Sequence, residues 1–301
     1  MVKERTLTPS MHLAGTFCGC AALLYLFART LFSQAAGWLL SLRIPGATLA
    51  NPAGASPLEA AMLRMIVSIL ALATPFLLLY LYPLPCGISL RHGRRKCIPR
   101  LFLIFWASML AGNFLARLML RLEGEPVNRI HLPASGAALA AAWIAVCLLP
   151  AFGEELLFRG LLQGWLRKHG VLCAILGQAV LFSLLHGRIS ACTAALLGGL
   201  ALGLCAEATG SLRAGILFHL YNNTLAFLSQ YALQYWSPAA ENLVSLIVLL
   251  GPPIAVLIPA LKKQTARLLP PNQNGLWLLR CPGWLLSAGF LLVMSLVESY
   301  F

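Results

Sequence analysis

Long apolar runs separated by short polar segments set the plan of this 301-residue chain. The runs fall at roughly 11–28, 58–82, 101–120, 134–152, 171–185, 191–208, 214–236, 242–261 and 284–301. A helix needs about 20 apolar residues to cross about 30 Å of hydrocarbon. Helices and closed barrels are the only spanning structures, and these runs far exceed a barrel strand. The pattern therefore predicts an all-α, polytopic transmembrane helix bundle of eight to nine spans. The first run reads as a retained helix that ends at Arg29, with 30–42 lying along the interface. A Pro/Gly/Ala loop covers 44–57, basic loops cover 83–100 and 262–280, and a short polar loop covers 123–133. The organisation expected is N-terminal helices over 1–133, a helical core over 134–236 and C-terminal helices over 237–301.

Composition agrees with the pattern. The chain is 59% hydrophobic and 10% charged, where a soluble domain carries about 25% charged residues. The formal net charge of +13 does not point to nucleic acid, because the basic residues sit mainly between apolar runs, as topology signals do. With the N-terminus inside, most of the 22 lysines and arginines fall on the inner side, Arg159 and Arg167 counted among them. Only Arg43, Arg121, Arg129 and Arg188 fall outside, a positive-inside pattern. The short loops fit a bacterial inner membrane. Nine cysteines are scattered without a CxxC pair, so they read as small packing residues rather than zinc ligands.

All nine acids are glutamates, and two of them stand together in an apolar stretch, PAFGEELLFRG over 150–160. Ionised groups in lipid are costly and normally face a protein interior or a water-filled cavity. Glu155 and Arg159 are i,i+4, acid first, the favourable order for a helical ion pair. Glu154 lies about 100° further round and cannot share that partner equally. Two later runs are interrupted as well. His186 follows Phe182 by one turn, and His219 and Asn223 share a helical face. Glu207 ends a run and reads as interfacial. Taken singly, each group has a structural explanation: a packed histidine, a local ion pair, an interhelical amide. Together, one carboxylate, two imidazoles and a carboxamide are the parts for activating water and holding an oxyanion.

These residues resemble a family. Glu154-Glu155-x-x-x-Arg159, Phe182-x-x-x-His186 and His219-x-x-x-Asn223 match, in order and spacing, the three motifs of the CPBP family. Its members are the CAAX-processing and bacteriocin-processing intramembrane proteases, also called the Abi family, and include the Ras-converting CAAX endopeptidases. The resemblance covers about a third of the chain and implies a glutamic-type intramembrane endopeptidase acting on a membrane-associated peptide or protein, without a cofactor. It implies that Glu154 is the general base, that His186 holds the same water, and that His219 and Asn223 stabilise the oxyanion. Glu155, Arg159 and Phe182 would support them. Two alternatives remain: a zinc-dependent protease using the same side chains, and a non-catalytic membrane scaffold or immunity-type protein. A transporter would need inverted repeats, and none is visible. Whether the substrate is a prenylated CAAX tail, a leader peptide or a sorting helix is open.

Overall fold

A computed structural model describes residues 9–49, 54–81, 93–123, 132–237 and 277–300, with isolated positions between them. Every regular element it forms among these residues is a helix. We number the helices α1 (Pro9–Arg43), α2 (Pro57–Ala73, continued by a 3-10 turn to Leu77), α3 (Ile98–Glu123), α4 (Gly136–His169), α5 (Val171–Leu184), α6 (Ile189–Thr209), α7 (Leu212–Tyr235) and α8 (Pro282–Tyr300). Five are long and apolar enough to cross a membrane: α1, α2, α3, α4 and α6. Helices α5 and α8 are apolar but shorter. At 24 residues α7 has the length to span, but His219, Asn222, Asn223, Gln230 and Gln234 lower its hydropathy. The chain is an integral membrane protein, a helical bundle of the expected class. The span expected over 242–261 and the side chain of Glu298 lie outside the described residues.

Local chemistry sets the helix ends. Ser56 caps α2 by accepting from the Glu59 amide at 3.1 Å, with Pro57 at the first helical position. Ser211 caps α7 in the same way through the Arg213 amide. Helix α6 ends at Gly210, whose φ of 69° is the left-handed conformation favoured there. One expectation changes. Arg29 does not end the first helix, and 30–42 is not a separate interfacial segment; α1 is continuous for 35 residues. The Arg29 guanidinium donates to the Leu185 carbonyl at 3.1 Å, which gives the charge a protein partner within the bundle. No proline interrupts α1 before its end, and Pro45 and Gly46 follow it.

In lipid, helices associate by close packing of small residues rather than by expelling water. Gly112 of α3 lies so near α6 that a Cβ there would sit 2.9 Å from Ala194 Cα. Gly15 and Gly19 of α1, four apart, make a similar approach to Cys281 and Ser287 at α8. Glu123 ends α3 rather than standing in a loop. It reaches across to α6, accepting from the Ser190 amide and hydroxyl, both at 2.7 Å, and from Arg188 at 3.2 Å. A carboxylate from another helix thus caps the α6 N-terminus, where anionic groups are favoured. The main apolar core gathers α1, α4 and α5 around Trp165, which is fully buried and meets Phe17 edge-on at 6.0 Å.

Candidate active site

Helix α4 carries the acidic motif, and two of its stretches are wound as π-helix, Ile144–Leu148 and Glu155–Leu162. Pro150 lacks an N–H and crowds the carbonyl four residues back, so a widened turn just before it relieves the clash. The second π stretch begins at Glu155. Such bulges are frequent at functional sites. Within it, Arg159 donates to Glu155 Oε1 at 2.8 Å, and both side chains are fully buried. Arg159 is therefore not an inner-loop charge, as the topology count had it, but an interior cation.

The ion pair is one step of a ladder. Residues 155, 159, 163 and 167 line one face of α4 opposite 199, 203 and 207 of α6. Arg159 donates to the Gly199 carbonyl at 3.3 Å, and Gln163 to the Gly203 carbonyl at 3.0 Å. Arg167 donates to both oxygens of Glu207, at 3.1 and 2.9 Å. Glycines are required here: a Cβ on Gly203 would stand 2.6 Å from Gln178 Nε2. Glu207, read from sequence as interfacial, is covered by protein. Its side chain is 1% exposed and paired with Arg167, because the four-residue repeat of α4 brings a cation to it across the helix contact.

Helix α7 brings His219 between the two glutamates. Nδ1 lies 3.1 Å from Glu155 Oε1, and Nε2 lies 3.8 Å from Glu154 Oε2. The helical-wheel reading, in which Arg159 occupies Glu155 and leaves only Glu154 to face the site, is thus incomplete. Adjacent carboxylates about 100° apart on α4 reach one partner because the imidazole presents a nitrogen on either edge. With Glu155 a carboxylate, the bond requires Nδ1 to carry the proton. Gly215, one turn before His219, leaves the space: a Cβ there would lie 2.8 Å from Glu155 Oε2.

Phe182 is the plate between the motifs. Its ring meets His186 at 4.7 Å and His219 at 5.8 Å, both edge-on, and the Arg159 guanidinium carbon lies 4.4 Å from its centroid. Its carbonyl is 2.9 Å from His186 Nδ1, which leaves Nε2 of that exposed ring for a ligand. Asn223 is half-buried one turn beyond His219, and its amide makes no hydrogen bond among the described residues. Sequence reasoning missed Tyr25 of α1, whose hydroxyl lies 3.4 Å from Glu154 Oε1. Its only signal is a phenol in the middle of an apolar run, one turn before Arg29.

Depth is also clarified. The run boundaries alone set Glu154 towards the inner surface and His186 towards the outer, and the sequence reading prefers a site at mid-depth. Glu154 lies in mid-helix, 15 residues before His169, and His186 lies 15 residues after Val171, the start of the antiparallel α5. At about 1.5 Å per residue, both stand about 22 Å from the α4–α5 turn. Helix α5 has 14 residues, too few to cross about 30 Å of hydrocarbon.

The structure brings together a carboxylate with 14% side-chain exposure, a second carboxylate fully buried and the His219 imidazole, with His186 on the same phenylalanine ring; Asn223 is placed by its position one turn beyond His219. These groups can take a proton from water and donate to a developing oxyanion. Among the described residues, no group of three or more His, Cys, Asp or Glu side chains is gathered as metal ligands would be. Residues 136–225 match a family model described as "Type II CAAX prenyl endopeptidase Rce1-like". That segment contains Glu154, Glu155, Arg159, Phe182, His186, His219 and Asn223, and it excludes Tyr25. No curated protein and no solved structure matches the chain.

Proposed function

We propose, from the match of residues 136–225 to a CAAX prenyl endopeptidase family model, that this chain is a peptide hydrolase that cleaves a peptide bond in the C-terminal tail of a prenylated, CAAX-type protein through a water activated by Glu154. The observation that carries the reading is the position of His219 between Glu154 and Glu155, beside a phenylalanine that also holds His186.

The chemistry follows from the groups. Glu154 takes a proton from water held against His186, and the water oxygen bonds to the scissile carbonyl carbon. The carbonyl π electrons move to oxygen, where the Asn223 amide and His219 Nε2 donate. Donation from Nε2 requires the doubly protonated ring, with Nδ1–H held by Glu155. Collapse re-forms the carbonyl and breaks the C–N bond, and the proton on Glu154 passes to the leaving amine. Arg159 and Phe182 act behind these groups: the first holds Glu155, the second spaces the imidazoles. The N-terminus lies in the cytoplasm by the charge asymmetry of the loops. A bacterial inner membrane is the compartment we assign.

The test uses full-length protein in liposomes with a farnesylated CAAX peptide, and mass spectrometry of the released fragment. Cleavage at one bond, insensitive to a zinc chelator, is the expected result. Activity lost with chelator and restored by zinc would transfer the water to a metal held by the same side chains. No cleavage, with Glu154→Ala normal in abundance and in phenotype, would leave a scaffold.

A further inference from the structure

The N-terminal helix α1 lies outside the segment that carries the family match, yet it touches both halves of the candidate site. Tyr25 is buried, and its hydroxyl faces Glu154 Oε1 at 3.4 Å, the oxygen that does not face His219. One turn on, Arg29 donates to the carbonyl of Leu185, the residue before His186, at 3.1 Å. Its guanidinium carbon is 5.9 Å from the Tyr25 ring centroid. Residues i and i+4 of one helix face thus meet the base and the turn that presents the water-holding histidine.

We propose that Tyr25 and Arg29 are positioning residues for the hydrolysis, Tyr25 fixing the Glu154 carboxylate and Arg29 fixing the His186 turn. The inference rests on Glu154 as the base. A carboxylate with one oxygen towards the water and His219 can still rotate about its terminal torsion, which is broad and roughly two-fold. A phenol donor on the other oxygen removes that freedom. The contact is long for an O–H···O bond, and catalytic hydrogen bonds of unliganded sites characteristically tighten when substrate binds. His186 is placed by a short turn through Gly187 (φ 78°) rather than by a helix. The Arg29 bond on the preceding carbonyl ties that turn to α1. The roles need both polar side chains, a phenol and a cation, inside a stretch that composition alone reads as a membrane anchor.

The experiment compares Tyr25→Phe, Arg29→Met and Glu154→Gln in the full-length protein, with the farnesylated CAAX peptide as probe. Phenylalanine keeps the ring and its packing, so the thermal midpoint and KM should hold, while kcat falls about tenfold, the scale of a hydrogen bond to a charged group. Arg29→Met should lower kcat with a smaller change in KM. Tyr25→Phe added to Glu154→Gln should cause no further loss. Wild-type kcat in Tyr25→Phe, with Glu154→Gln inactive, overturns this inference and leaves the base assignment standing. Wild-type activity in Glu154→Gln overturns the base assignment itself. A rise in KM or a fall in thermal midpoint alone would make Tyr25 a packing residue and equally overturn the inference.

Discussion

Replacing Arg159 by methionine removes the guanidinium that pairs with Glu155 at 2.8 Å. The structure lets the cost be worked out. The substitution breaks the 2.8 Å ion pair, the 3.3 Å bond to the Gly199 carbonyl and the contact over Phe182. Methionine refills most of the volume. The dominant loss is therefore the carboxylate left buried without its cation, and removing one partner of a buried pair costs about 3–5 kcal/mol. Replacing both charges, as Glu155→Gln with Arg159→Met, leaves no uncompensated ion and should lie closer to the wild type than Arg159→Met alone. The assay comes from the chain itself, because seven of its eight described cysteines are buried thiols. A thiol-reactive fluorophore reports their exposure as the detergent-solubilised protein is heated. The single variant should melt roughly 10 °C lower, and the double variant should recover part of that fall. A single variant within about 2 °C of the wild type, well below the fall expected for a broken buried pair, would refute the view that Arg159 compensates Glu155.

Three further outcomes are expected. Asn223→Ala should lower kcat about 10²–10³-fold with an unchanged melting point, since it removes an oxyanion donor that makes no hydrogen bond among the described residues; steady-state kinetics on the farnesylated peptide measures it. Gly215→Ala brings a Cβ to 2.8 Å from Glu155 Oε2, so the carboxylate must move from His219, and kcat should fall more than thermal stability does. Gly112→Leu forces α3 away from the Ala194 backbone of α6 and should destabilise by about 1–3 kcal/mol or more, read as earlier thiol exposure on heating.

The parts of this molecule that are legible in sequence are those encoded locally. An i,i+4 glutamate and arginine announce their ion pair, and the apolar runs announce the bundle. Where a feature depends on a second helix, sequence is silent. Glu207 reads as interfacial until Arg167, on α4, is seen to reach it across 40 residues of chain. Arg29 reads as a helix stop because a cation in an apolar run has no visible partner; Leu185 supplies one 156 residues away. The shared His219 could not be foreseen from α4 alone, since a wheel separates Glu154 from Glu155 and takes no account of an imidazole entering between them. Tyr25 has no motif at all.

The most direct measurement on the site is the kcat of Glu154→Gln against the wild type, in liposomes, with the farnesylated CAAX peptide and a zinc chelator present throughout. Glutamine keeps the shape and cannot accept the water proton. Cleavage should persist in the wild type and fall at least about 10²–10⁴-fold in the variant, the contribution of a general base, at equal abundance and melting point. A Glu154→Gln protein that cleaves at the wild-type rate, or a wild type silenced by the chelator, contradicts a carboxylate-activated water.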